Sequence, residues 1–396
     1  ADQGFDVTLV EKQHCLGGQA NRILQTATGV DVQTGLEALQ KRVLDHDRIR
    51  TFLESTLAGV NGFVGNFETQ ITGPTGDITV RHGAVVIATG AREYEPDEYL
   101  HQEAPRVITG LSLDEKIMQN DDLVTTAKTA VFIQCVGSRE PDRPYCSRIC
   151  CTHSIASALH LKEMNPQMDV YILYRDIRTY GEKERLYQEA REKGVVFIRY
   201  SVDNKPDVTR EKDGVTVTVM DHVLRQPVRI PADLVVLASA VVSRKEDALA
   251  KLFKVPMDSD GFFAEAHVKL APSNFAVDGV FLCGLAHYPK PIDESIAQAQ
   301  AAAAGVSRLF AKHEIKTLGN TAQVNTAVCS GCGVCVAVCP YSAPEMIPDG
   351  RDAGKARVNP VLCKGCGLCT ASCRSGAVEL MGYKEQQIMA MIDHAF

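Results

Sequence analysis

TAVFIQCVGSREPDRPYCSRICCTHSIASAL, residues 129–159, sets the reading of the whole chain. A β-branched apolar run, a polar turn and an alanine-rich helical pattern follow one another, in the strand–turn–helix order of a dinucleotide-binding unit. Where such a unit carries glycines for a pyrophosphate, this turn holds Cys135, Cys146, Cys150 and Cys151, with Arg139, Arg143 and Arg148 among them. Gaps of ten, three and no residues are not a zinc-finger spacing, and no Cys-x-x-Cys of a disulfide-reducing site occurs before residue 329. Four buried free cysteines are the plain alternative. Four on one polar turn, beside arginines that would offset thiolate charge, favour a 4Fe-4S site.

Similar β-branched runs recur on both sides, at 5–11, 84–90, 170–176, 195–200, 234–239 and 279–284, with helical patterns between many of them. That alternation predicts an α/β, doubly wound architecture. Glu11 ends the first run, where a carboxylate would hydrogen-bond ribose hydroxyls, and Gly17 and Gly18 follow, where backbone could approach phosphates.

Eight of the fourteen cysteines form two copies of one pattern, CSGCGVCVAVCP at 329–340 and CKGCGLCTASCR at 363–374. Gaps of two, two and three residues are the run that wraps cubane clusters, with the fourth thiolate ligating the neighbouring cluster. This assigns Cys329, Cys332, Cys335 and Cys373 to one 4Fe-4S cluster, and Cys363, Cys366, Cys369 and Cys339 to the other. Two zinc ribbons fit the distal fourth cysteine poorly. The stretch from about Leu318 to Leu380 resembles a two-cluster bacterial-type ferredoxin, an α+β module, except that Arg374 stands where the first run has Pro340.

VTLVEKQHCLGGQ, VVIATGA and GVFLCGLAHYPKPIDESIAQAQAAAAG, in that order, resemble the three FAD segments of the thioredoxin-reductase-like flavoproteins. The resemblance implies two Rossmann-like units and FAD lined by Glu11, Lys12, Gly17, Gly18, Gln19, Thr89, Gly90, Gly284, Lys290, Ile292, Ser295 and Ile296. It also implies a strand and a GxGxxG ahead of Glu11 that ADQGFDVTLVE is too short to supply, so the chain reads as truncated within its first β-α-β unit. Leu285 and Ala286 stand where that family has an Asp. Its inserted unit binds NADPH through a glycine turn that the cysteine turn replaces here, which argues against direct NADPH oxidation.

Taken with CSRICC and the ferredoxin module, nearly the whole chain resembles the A-subunit of heterodisulfide reductase and the related flavoprotein subunits of the quinone-interacting membrane-bound oxidoreductase. The resemblance implies an oxidoreductase subunit in which Cys135, Cys146, Cys150 and Cys151 hold a third 4Fe-4S cluster beside FAD. It further implies electron transfer with the option of flavin-based bifurcation, partner subunits of a heterodisulfide-reductase-like complex, a redox donor subunit or ferredoxin, and a hetero-oligomer that can dimerise as a complex. The methanogen-type subunit carries one more ferredoxin after its first FAD motif, which this chain lacks. The implied division is 1–124 and 241–315 for FAD, 125–240 for the inserted unit and 318–396 for the ferredoxin, with a linker at Lys312–Gln323. Competing readings are an NAD(P)H-dependent flavin oxidoreductase of the glutamate-synthase small-subunit type, which needs the missing glycine turn, and a cluster scaffold without flavin, which Glu11, Gly17 and Gly18 oppose. His14, His153, His287 and Lys183 read as structural, Cys15 and Cys283 as packing near FAD, and Lys290 as a group able to stabilise reduced flavin.

Composition excludes several classes. With 396 residues, 45% apolar and 23% charged, the chain is globular, and a net charge of -7 without a Lys/Arg cluster offers nothing to a nucleic acid. The longest uncharged apolar stretch, Leu234–Val242, is far short of the roughly 20 residues of a spanning helix. Without a leader-like start, the expectation is a cytoplasmic protein with no direct membrane span.

Overall fold

The computed structural model describes residues 1–211, 214–312, 314 and 319–395. The division placed between 315 and 318 lies outside those residues, as do positions 313 and 315–318 of the expected linker Lys312–Gln323. All seven β-branched runs form strands: Val7–Val10, Val85–Ile87, Thr129–Val136, Asp169–Tyr174, Val196–Arg199, Leu234–Ser239 and Val280–Leu282.

Thr129–Val136 lies at the centre of a five-stranded parallel sheet. Asp169–Tyr174 and then Val196–Arg199 flank it on one side, and Leu234–Ser239 and then Val107–Thr109 on the other. It is buried from Ala130 onward because both faces of the sheet are covered. The period of two sends Phe132 to Leu113, Ile155, Leu161 and Ile172 on one face, and Val131 and Ile133 to Leu173, Val217 and Val235 on the other. Helix Cys150–Met164 contributes to the first face. An antiparallel meander, Asp207–Glu211, Gly214–Asp221 and Gln226–Ala232, closes the second.

The chain enters this unit after Ala91–Glu93 and leaves it through Val241–Ser243, and these two segments pair antiparallel. In the other α/β half, Val7–Val10 pairs in parallel with Ile49–Phe52, and Val85–Ile87 pairs in parallel with Val280–Leu282. A second antiparallel meander, Thr56–Asn61, Phe67–Gly73 and Gly76–His82, lies against a core that includes Val64, Phe67, Ile87, Phe253, Phe275 and Leu282.

The C-terminal module is built twice over. Gly333 and Gly367, at φ 71 and 76, open the short helices Val334–Val338 and Leu368–Ser372. Ala322–Val324 pairs with Val378–Leu380, and Pro344–Met346 with Ala356–Val358. Val361 packs against the core that holds Ile87 and Leu282, and Lys364 pairs with Asp278, so the second cysteine run touches the α/β body. Among the described residues no helix is long and apolar enough to cross a membrane.

Candidate flavin and cluster site

A cavity of about 1690 Å³ is lined by both α/β units, well above the roughly 300–1,000 Å³ of ordinary small-molecule sites. It runs along Val7–Val10 and Val85–Ile87 and takes in their carboxyl ends and that of Leu234–Ser239, where open α/β sheets collect their ligands. Val7–Val10 delivers Glu11 and Lys12, and the left-handed Gly17 (φ 109) turns the chain so that Gly18 and Gln19 reach the wall. Val85–Ile87 ends beside Thr89 and Gly90, and Val280–Leu282 leads to Gly284, Lys290, Ile292 and Ser295, all of them lining residues. Ile296 does not line the cavity: one position beyond Ser295 it is turned by about 100° around the helix, and it is 53% exposed. Leu285 also lines the wall, Cys283 is buried, and Cys15 is exposed, against the expectation that it packs.

Gln19 Oε1 and Thr152 Oγ1 are buried without a hydrogen-bond partner, and both residues line the cavity. Orphaned polar atoms on a cavity wall fit a site made for a polar ligand.

Lys290 is 3% exposed, and burial, with help from Arg148, holds its ammonium pKa down at about 8. The folded state therefore binds fewer protons than the unfolded state between pH 8 and 10.5, and stability rises with pH across that window. Relative to Lys290→Met, the wild-type protein is expected to gain stability from pH 8 to 10.5 and to stay level below pH 8, which urea titrations of both proteins at each pH would show.

The cysteine turn closes one side of the cavity, with Cys150 in its wall. Three of its non-glycine residues are left-handed, Cys135 at φ 62, Arg139 at 59 and Arg148 at 61, each at a cost of about 1–3 kcal/mol. Burial pushes the Cys150 thiol well up, and Cys151, Cys135 and Cys146 each push it further. Cys151 is raised to about 11, first by burial, with Cys135 and Cys146 adding to the effect. The four thiols thus sense one another. Cys150 and Cys151 also open a 15-residue helix, whose positive end favours thiolate. Arg139 Nη1 lies 3.9 Å from Cys135 Sγ, and the Arg148 N–H donates to Cys146 Sγ at 3.4 Å. Arg148 also donates to Pro289 O at 3.3 Å and pairs with Glu294 at 3.0 Å, tying the cysteine turn to helix Ile292–Phe310.

In the C-terminal module Cys335 is raised by burial and by Cys329 and Cys332, and Cys332 in turn senses Cys373. Cys369 is raised by burial and by Cys363 and Cys339, and these three line one small pocket together with Cys366. The module thus groups its cysteines crosswise, with the fourth of each run beside the other run. An added Cβ at Gly331 or Gly365 would sit 2.5 Å from the carbonyl oxygen of Gly354 or Asn320, so the two cysteine loops need glycine. Among the described residues no three Cys, His, Asp or Glu side chains converge tightly enough to hold a single metal ion. A cubane makes no such demand, because it binds each thiolate at a different iron.

A network absent from the sequence reading borders the cavity. Arg22 spans Glu93 at 3.2 Å and Glu115 at 2.7 Å, while Asp114 accepts from Leu24 N at 3.0 Å and from His153 Nε2 at 3.0 Å. His153 is thereby a paired structural group, and His287 is likewise held by Glu265 and Gln298, each at 2.8 Å. No periodicity or motif links positions about 90 residues apart, so local reading had no signal for the network.

This is the fold of the two-unit flavoproteins joined to an iron–sulfur module. Residues 319–386 match the 4Fe-4S dicluster domain family. Thioredoxin reductase from T. acidophilum superposes with a TM-score of 0.53 at 13% identity, covering 79% of this chain and 93% of that one. Thioredoxin reductase from Lactococcus lactis gives 0.52 at 13% identity, over 78% and 100%. The chain belongs to the heterodisulfide reductase A-subunit family. It is 32% identical to the iron-sulfur A-subunit of the CoB–CoM heterodisulfide reductase of Methanocaldococcus jannaschii, over 99% of this chain and 74% of that protein. It is 37% identical to the A-subunit of the H(2)/formate:CoB-CoM heterodisulfide,ferredoxin reductase of Methanococcus maripaludis, over 80% of this chain and 50% of that protein. The chain thus spans about half the length of several curated relatives it matches. The Methanocaldococcus alignment runs over 490 positions against 396 residues here, so that relative carries internal chain this one lacks.

Proposed function

We propose that this chain is the FAD- and iron–sulfur-carrying electron-transfer subunit of a heterodisulfide-reductase-like complex. One observation carries the reading: all of the residues expected around FAD except Ile296, and a cysteine of the unusual turn, Cys150, line the same cavity. Glu11 would hold the ribose hydroxyls, Gly17 and Gly18 would admit the phosphates, and Gln19 and Thr152 would find their missing partners in the cofactor. Cys135, Cys146, Cys150 and Cys151 would hold a third cluster, with the crosswise sets Cys329, Cys332, Cys335, Cys373 and Cys363, Cys366, Cys369, Cys339 holding the other two. The bound groups supply the chemistry: FAD converts between two-electron and one-electron transfer, and the clusters carry single electrons. The protein supplies position and charge. Arginines and a helix N-terminus offset the thiolates of the turn, and burial excludes water from them.

The NAD(P)H-oxidising alternative is disfavoured because Cys135 and Arg139, not a glycine pair, shape the turn that would hold its pyrophosphate. Partner subunits and a donor protein or ferredoxin belong to the same proposal. Iron, sulfide and flavin analysis of anaerobically purified protein tests it: about twelve irons and one FAD per chain are expected. A protein without flavin would overturn the reading. Dependence of one acceptor's reduction on the presence of a second would separate bifurcation from simple relay.

A further inference from the structure

Three cations line one corner of the cavity: Arg148, Lys183 and Lys290. Arg148 pairs with Glu294 at 3.0 Å and Lys183 with Asp293 at 3.6 Å, both carboxylates belonging to the first turn of helix Ile292–Phe310. Lys290 has no such partner: its ammonium donates to the carbonyls of Gly284 at 2.6 Å and Tyr288 at 3.2 Å, and lies 4.0 Å from the centroid of the Tyr288 ring. It is also the most buried of the three, 3% exposed against side-chain values of 32% for Arg148 and 17% for Lys183. An ammonium has three donors, and two are used. Burying a charge without a counter-charge is costly. Its presence on a cavity wall, at the N-terminal end of a long helix, points to an anion that comes from outside the chain.

We propose that Lys290 is an anion-binding group of this corner of the cavity, whose wall elsewhere also carries Arg244 with a buried, unpartnered Nε, and, on the reading that the cavity holds FAD, a residue that stabilises negative charge on the flavin ring. Lys290 keeps its proton and acts by charge and one hydrogen bond, and no covalent bond to the lysine forms or breaks. The two neighbouring cations cannot take this part, because each is already neutralised by a carboxylate.

Sulfite is the probe. Its sulfur lone pair adds to the oxidised flavin ring, and the negative charge that this places on the ring is stabilised by a nearby cation. The experiment titrates FAD-loaded wild-type protein, Lys290→Met and Lys290→Arg with sulfite and follows bleaching of the flavin absorption, with flavin content measured on each. Wild type and Lys290→Arg are expected to bind sulfite, and Lys290→Met to bind it roughly 10- to 100-fold more weakly per flavin bound, whatever its flavin content. Equal sulfite affinity in wild type and Lys290→Met, or no bleaching in flavin-loaded wild type, would overturn the role of Lys290 and leave the FAD reading standing. A wild-type protein that holds no flavin would overturn the FAD reading itself. If Lys290→Met folds poorly, Lys290→Gln, which retains a donor for the Gly284 carbonyl, is read in its place by the same criteria.

Discussion

Replacing Cys150 and Cys151 together with serine is expected to lower the iron content from about twelve to about eight per chain, while the ferredoxin-type clusters keep their spectroscopic signatures. The expectation rests on the mutual coupling of the thiols. Burial raises Cys150 and Cys151, and each is raised further by Cys135 and Cys146, so the four lie within electrostatic reach of one another beside the cavity. Serine nearly conserves volume, so the α/β unit around the central strand should persist, which circular dichroism would confirm. Buried thiols with raised pKa stay protonated at neutral pH, so cluster insertion must release protons there, and acid should favour loss of this cluster. If the double variant and wild type both carry eight irons, the four cysteines are core residues and the third cluster is withdrawn. A variant that loses all its iron would mean that the turn is needed to fold the whole chain.

Gly137→Ala should be the most damaging small substitution in the same turn, at roughly 3 kcal/mol of stability. Gly137 has φ 71, a conformation unfavourable to any side chain, and an added Cβ would lie 2.2 Å from Cδ1 of Tyr94. Tyr94 cannot easily retreat. Arg143 stacks over its ring at 4.3 Å, and its backbone N–H donates to Ala240 O at 2.8 Å. The displaced turn should also retain less iron. Gly181→Ala is the matched control: Gly181 has φ 63, but nothing lies within 4 Å of its added Cβ, so only the conformational cost of about 1–2 kcal/mol remains. Chemical denaturation of both variants measures the difference, and equal losses would show that the contact with Tyr94 is relieved at little cost.

Much of the architecture was legible because it is local. Each of the seven β-branched runs concentrates apolar residues within six or seven consecutive positions, enough to declare a strand even where, as in Val7–Val10, none of them is fully buried, and the ferredoxin spacing declares a 4Fe-4S-type module because it is a local pattern of thiols and glycines. The two meanders were not legible. Phe67–Gly73 alternates buried with more exposed positions, but its buried face includes Thr69 beside Phe67 and Ile71, so the apolar alternation is weak in the sequence and the strand takes its meaning from the neighbours it pairs with.

The candidate site divides in the same way. Glu11, Gly17, Gly18, Thr89, Gly90 and Gly284 could be named from short motifs, since each sits at a strand end or in a turn that its immediate neighbours dictate. Ile296 was misplaced by motif, because which side of helix Ile292–Phe310 faces the cavity depends on how that helix packs. Burial and charge compensation are likewise properties of the folded chain. Sequence alone determined the parts of this protein: the strands, the cysteine runs and the absence of a nucleotide-type glycine turn after Val136. Only the tertiary structure decided that Cys150 shares a wall with Gly17 and Gly284, that Arg22 spans Glu93 and Glu115, and that Lys290 has no carboxylate within ion-pair distance among the described residues while Arg148 and Lys183 each have one. The physical reason is one of range: spacing and periodicity act over a few residues, whereas the electrostatics of a site sum over whatever the fold brings within a few ångströms.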